Sequence, residues 1–363
     1  MTSRSSLRVS RRFVLGGSVA AGLGAALPAL LQAADQATLP VVRKKIPSTG
    51  EAIPVIGIGT NSFRDANYDE LRRVLERMQE LGGSVIDTAA RYGESEGVIG
   101  RVLASLGSRK RTFLATKFNA EGVNLPMSGM GPPPGGAAGS GPGRMGGPGG
   151  PAGPGGPGGP GGRMGGPGGP PSDNVYGQAS FERSLMRLQT DQVDLLYAHF
   201  IPSVEPLMPL MKQLKQSGKT RYIGITTFMP QQHEQLAELM RKHPIDFVQV
   251  DYSIANRDAE KTVFPVAVER KIAVVVDVPL GGRFGSILGR TQGRTLPPWA
   301  ADIGVGSWSQ FLLKYVISHP AVTCTIPGST RLEHLVENQL AGHGPLPDAS
   351  MRKRMEAVWD SNA

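Results

Sequence analysis

The chain has 363 residues, 39% of them hydrophobic, a net charge of +9 at neutral pH and one cysteine, Cys324. Arg4, Arg8, Arg11 and Arg12 precede the first acidic residue, Asp35, and setting them aside leaves +5, an ordinary balance for a globular domain. No basic stripe interleaved with aromatics runs through it, which argues against nucleic acid as a partner, and a lone thiol excludes an intrachain disulfide and any multi-cysteine metal site.

The first element is Ser10-Arg11-Arg12-Phe13-Val14-Leu15, which opens an apolar Ala/Gly-rich stretch to Leu31, followed by Gln32-Ala33-Ala34. A basic start, an apolar middle and small closing residues describe an export signal, and the adjacent arginines make it resemble the twin-arginine type. The middle is short and Gly-rich beside the roughly 20 apolar residues of a spanning helix. The expectation is a signal segment over 1–34, passage through the twin-arginine export machinery, a periplasmic or otherwise exported location, and no stable membrane span after cleavage. Leu31 stands where a small residue is expected before Ala33, so the cleavage pattern is imperfect.

Val42–Ile53, turning at Ser48-Thr49-Gly50-Glu51, reads as a hairpin. Eight short β-branched runs follow: Pro54–Gly59, Ser84–Asp87, Thr112–Thr116, Val193–Ala198, Tyr222–Ile225, Phe247–Val250, Ile272–Val276 and Val322–Ile326. Helical patterns lie between them, such as Tyr68–Leu81, Ser180–Leu188, Pro206–Gln216, Pro230–Lys242 and Asp258–Arg270. Strands alternating with helices predict parallel βα units, and eight of them predict an α/β fold, a (β/α)8 TIM barrel over 40–363 with an N-terminal hairpin.

One segment, 127–173, breaks the pattern. It is almost wholly Gly and Pro, and Gly143–Pro151 recurs as Gly162–Pro170. With so little side chain to bury, it is expected to be a disordered insert. Its broken triplet register argues against a collagen helix. Met127, Met130, Met145 and Met164 invite a thioether copper site, but no His or Cys joins them, and no metal is expected.

Asp87, Lys117 and His199 close three of the strand runs and Tyr92 lies just beyond the first of these, which would gather all four at the barrel's C-terminal mouth. Singly, each has a plain structural explanation: a turn carboxylate, a loop aromatic, a solvated strand end, a core histidine. Together they suit proton transfer to a substrate oxygen. A free tyrosine with a pKa near ~10 is a poor acid at neutral pH. A neighbouring Lys⁺ lowers that pKa, and a carboxylate keeps the amine charged.

Ile86-Asp87-Thr88-Ala89-Ala90-Arg91-Tyr92-Gly93-Glu94-Ser95-Glu96 resembles the signature of the aldo/keto reductases. So do Ile58-Gly59-Thr60-Asn61, Thr116-Lys117, Asp194–His199 and Ile326-Pro327-Gly328-Ser329, in the family's order over roughly 43–340. The resemblance implies an NAD(P)H-dependent reductase of a small-molecule aldehyde or ketone. Tyr92 would be the general acid, Lys117 and Asp87 would tune it, and His199 would orient the carbonyl. It implies NADP as cofactor, with NAD as the alternative, held by Gly59, Thr60, Asn61, Thr226, Thr227, Gln249, Asp277, Pro279, Leu280, Gly281, Ser329, Thr330, Arg331, Glu337 and Asn338.

The chain departs from the family on this side. Thr226-Thr227 replace a Ser-Asn pair, Asp277 stands where an aromatic usually stacks on the nicotinamide, and Gly328 replaces a phosphate-binding Lys. Free NADPH is not expected outside the cytoplasm. That motivates a second reading, an exported nucleotide-binding scaffold or sensor with little or no turnover.

Overall fold

The computed structural model describes residues 36–123, 176–281 and 285–361. The expected signal segment 1–34 and the whole of the expected insert 127–173 lie outside these residues.

The hairpin forms from β1 (Arg43–Lys45) and β2 (Ala52–Pro54), with Lys44 opposite Ile53. Its turn closes when the amides of Thr49 and Gly50 donate to the carbonyl of Ile46. Ile46 and Ile53 are buried against Val85, Phe113, Leu195 and Phe247. The hairpin is therefore an apolar plug for the floor of the barrel.

Eight parallel strands follow: β3 (Ile58–Gly59), β4 (Val85–Asp87), β5 (Phe113–Phe118), β6 (Val193–Ala198), β7 (Thr220–Thr227), β8 (Phe247–Asp251), β9 (Ala273–Asp277) and β10 (Val322–Thr325). The order is sequential, and parallel bridges of Ile56 to Thr325 and Gly59 to Gly328 join the last strand to the first. At that seam a Cβ on Gly59 would lie 2.9 Å from the Ile326 carbonyl oxygen, so only glycine lets the strands meet.

Outside run α1 (Tyr68–Glu80), α2 (Ser95–Ser105), α3 (Gly177–Arg187), α4 (Ile201–Gln216), α5 (His233–Lys242), α6 (Val263–Glu269), α7 (Trp308–Ser318) and α8 (Leu332–Leu340), one after each barrel strand. A further helix, α9 (Ala349–Asp360), follows. In α1 the buried residues Leu71, Val74, Leu75 and Met78 repeat at helical spacing and bury one face.

Among the boundaries that differ from the sequence reading, three have visible reasons. The first barrel strand shrinks to Ile58–Gly59 because Ala52–Pro54 is taken by the hairpin and the Val55 amide bonds back to Val42. Helix α4 begins at Ile201 rather than Pro206 and carries Pro206 and Pro209 inside it. Its buried Ile201, Val204, Leu207, Met208 and Met211 supply apolar contact that offsets the missing backbone donors. The pattern Asp258–Arg270 splits into a 3-10 turn over Asp258–Glu260 and the α-helix α6.

Strand alternation sets the site. Val85, Phe113 and Ala115, Leu195 and Tyr197, Phe247, Val275 and Cys324 fill the interior cluster. Two residues further along the same rows come Asp87, Lys117, His199, Gln249 and Asp277, and period-2 geometry points them inward, one layer above that core.

Candidate active site

Lys117 and Asp87 are almost wholly buried, 1% and 3% exposed, and form an ion pair from adjacent strands. Lys117 Nζ also donates to the Thr88 carbonyl at 3.0 Å, and Asp87 Oδ2 accepts from Gln249 Nε2 at 3.1 Å. Gln249 Oε1 in turn accepts from Thr226 Oγ1 at 3.2 Å. Burial pushes the Asp87 carboxyl upward, while Lys117 pulls it back by charge and hydrogen bond. Burial alone would lower Lys117, but the charges of Asp87, Tyr92 and Asp277 outweigh it and hold the ammonium above its ordinary value. The amine is therefore a fixed cation.

Tyr92 sits in the loop after β4, with its ring centroid 5.2 Å from Lys117 Nζ. The His199 ring lies edge-on to it at 5.7 Å. The expected lowering of the phenol is not met. Burial raises its pKa, Lys117 lowers it, Asp87 and Asp277 raise it again, and the net shift is upward. Spacing reveals that a lysine is near, not how dry the site is. The phenol is thus firmly protonated at neutral pH.

His199 stacks on Phe200 with centroids 4.2 Å apart, and its Nδ1 is buried without a partner. Burial, then the charges of Lys117 and Arg91, push its pKa well below the ordinary value. It is a neutral imidazole. The loop carrying Tyr92 is braced by hydroxyls: Thr88 Oγ1 to Ser95 Oγ at 2.9 Å, Ser95 Oγ to Thr60 Oγ1 at 2.8 Å, and Thr60 Oγ1 to the Asp87 carbonyl at 2.9 Å.

The remaining sequence-predicted residues divide by what occupies them. Thr60 serves that brace, and Asn61 is exposed beside it. Thr227 Oγ1 donates to Gln232 Oε1 at 2.5 Å and accepts from the Met229 amide at 3.2 Å, so its hydroxyl is engaged within its own loop. Asn338 is buried on α8 and accepts from Ser309 Oγ at 3.1 Å, whereas Glu337 is half-buried. Ser329 Oγ closes a turn onto the Arg331 backbone, and the exposed Arg331 pairs with Glu333. That exposed pair is weak and leaves the guanidinium available to an anion.

Asp277 ends β9 beside Asp251 in the strand register. Pro279, Leu280 and Gly281 follow it, and a Cβ on Gly281, which has φ +88°, would lie 2.2 Å from the Gly285 carbonyl oxygen. The loop turns tightly there.

Sequence reasoning passed over a second buried cluster. Asp251 binds His233 Nε2 at 2.8 Å through Oδ1 and Asn256 Nδ2 at 2.5 Å through Oδ2. Counting by two from Phe247 through Gln249 would have placed Asp251 on the inward row. Its partners, from α5 and the loop after β8, carry no local signal. Among the described residues no group of three His, Cys, Asp or Glu side chains could hold a metal, and no helix is long and apolar enough to cross a membrane.

Two Saccharomyces cerevisiae proteins with provisional aryl-alcohol dehydrogenase names are each 25% identical over 311 residues. The alignments span 75% of this chain and 72% and 82% of theirs. The holo form of a Bacillus halodurans aldo-keto reductase superposes with a TM-score of 0.61 at 22% identity, covering 88% of this chain and 96% of that one. A Klebsiella pneumoniae aldo/keto reductase in complex with NADP and acetate gives 0.59 at 22% identity, covering 85% and 93%. The sequence profile of the aldo/keto reductase family matches residues 55–360, and the chain belongs to that family.

Proposed function

We propose that the chain is an NAD(P)H-dependent carbonyl reductase in which Tyr92 is the general acid. The observation that carries this reading is the buried Asp87–Lys117 pair set against the Tyr92 ring, with neutral His199 at the ring's edge.

Bound nicotinamide nucleotide would supply the hydride. The protonated Tyr92 phenol gives its proton to the carbonyl oxygen as negative charge grows there. Lys117 then faces a phenolate, and its fixed charge stabilises it. Asp87 holds the amine charged and aimed, and Gln249 holds Asp87. His199, neutral, offers one hydrogen bond and a flat wall rather than a second charge.

The residues present fit a nucleotide. Thr226, Gln249 and the Pro279–Gly281 loop would hold its nicotinamide end at the inward mouth, with Asp277 beside the ring. Ser329, Thr330 and Arg331 would hold its phosphates, because a weakly paired Arg can take a phosphate bidentately. The Klebsiella pneumoniae structures, one with NADP and one with NADPH, support NADP over NAD. The yeast relatives' names support an aromatic aldehyde, or the matching alcohol in reverse, as substrate class. Export rests on the arginine pair and apolar stretch of residues 10–34.

The test is NADPH consumption by the purified mature protein with an aromatic aldehyde. Loss of reduced-nicotinamide absorbance that requires both components is the expected result. Folded protein that binds NADPH and turns over neither aromatic nor aliphatic carbonyls would contradict the enzyme reading and favour a nucleotide-holding scaffold.

A further inference from the structure

Three carboxylates end inward rows at the mouth, and their surroundings differ. Asp87 has Lys117 and Gln249, and Asp251 has His233 and Asn256. Asp277 has no hydrogen-bond or ion-pair partner among the described residues, and its Oδ1 is buried. A buried carboxyl oxygen without a partner is costly. The backbone just beyond it is strained as well. Val278 has φ +42°, a left-handed conformation that a β-branched residue adopts only under strain. An unmet acceptor beside stored strain marks a place that a ligand completes.

We infer that Asp277 is the counter-charge for a cation brought into the mouth, and that this cation is the oxidised nicotinamide ring. The chain would thus bind NADP⁺ selectively through this side chain, with NADPH indifferent to it. The inference rests on the nucleotide-binding reading above.

Position and charge support it. Asp277 is close enough to Tyr92 and Lys117 for their charges to act on one another. A ring that exchanges hydride with a carbonyl held by Tyr92 must lie in that same space. The nicotinamide ring is also the part of the nucleotide whose charge changes: it is cationic when oxidised and neutral when reduced. Lys117, the cation whose charge acts on Asp277, is already paired with Asp87.

The charged groups facing Asp277 are Asp251 from β8, Asp87 from β4 and Lys117 from β5, with the Tyr92 phenol beyond, while β10 brings the buried thiol of Cys324 to the interior. Burial first, then Asp251, hold the Asp277 carboxyl well above the ordinary range, with Lys117 opposing. Burial and the Asp251 charge therefore favour the protonated form of Asp277. An arriving cation favours the carboxylate, and the proton leaves to the buffer.

Fluorescence titration of the full chain with NADP⁺ and with NADPH tests this, comparing wild type with Asp277→Asn and, should that variant fold poorly, Asp277→Ser. The expected result is about tenfold weaker NADP⁺ binding and less than about twofold change for NADPH. In weakly buffered solution, wild type should release a proton on binding NADP⁺ and not on binding NADPH, and the variants should release none. Equal shifts for both nucleotides, or no shift and no released proton, would overturn the assignment. A wild-type chain that binds neither form overturns the nucleotide reading and this inference together, so the two failures are told apart.

Discussion

Asp87 and Asp277 each stand two residues beyond a valine of the barrel core, Val85 and Val275, at the inward ends of their strands. On the first side the carboxylate is enclosed by an ammonium and an amide and barely exposed. On the second the same side chain has a buried oxygen without a partner and a strained valine next in the chain. The difference separates a permanent part of the machinery from a group that completes its coordination only with a ligand. Burial raises both carboxyls, but only Asp87 has a partner whose charge and hydrogen bond strongly oppose that rise.

Removing the partner from the first side should have the largest effect. Lys117→Met leaves Asp87 buried with no counter-charge, and we expect about 3–5 kcal/mol of unfolding free energy to be lost at pH 8 in urea denaturation. The loss should shrink in acid, where Asp87 takes up a proton. A variant as stable as wild type at both pH values would show that the pair does not hold the mouth together.

A smaller effect should follow from Gln249→Leu. It removes the amide donor to Asp87 Oδ2 and should cost about 1.5–3 kcal/mol, a hydrogen bond to a charged group. Unchanged stability would mean that solvent replaces the amide.

The opposite sign is expected on the second side. The unfolded chain loses the Asp277 proton in the ordinary carboxylate range, whereas the folded chain retains it to higher pH. Wild-type stability should therefore fall as pH rises between those two points, because the unfolded state sheds the proton first. Asp277→Asn does not titrate, so its stability relative to wild type should grow as pH rises across that window. Parallel stability curves would erase the contrast between the two carboxylates.

Much of this architecture was legible in local sequence. The inward rows follow from period-2 alternation, so Val85 and Asp87, Ala115 and Lys117, and Val275 and Asp277 could be placed without any long-range information. The hairpin was legible from its turn, Ser48-Thr49-Gly50-Glu51, whereas its packing against the barrel floor was not. Elements that tertiary packing decides were less so. Pro206 reads as the first residue of a helix, yet the buried face of α4 carries the helix back to Ile201 and leaves Pro206 and Pro209 inside it. The His233–Asp251–Asn256 cluster joins three segments whose meeting nothing local announces. The phenol of Tyr92 was misjudged in direction because proximity to Lys117 is readable from strand register, while dehydration depends on every element that closes over the ring.

Whether Tyr92 delivers the proton is tested most directly by Tyr92→Phe. The variant and wild type should be compared in single-turnover reduction of an aromatic aldehyde, with NADPH affinity measured on the same samples. The expected rate is about 10²–10⁴-fold lower, the usual contribution of a positioned general acid, with nucleotide affinity unchanged. A phenylalanine variant that reduces the aldehyde at the wild-type rate would contradict it.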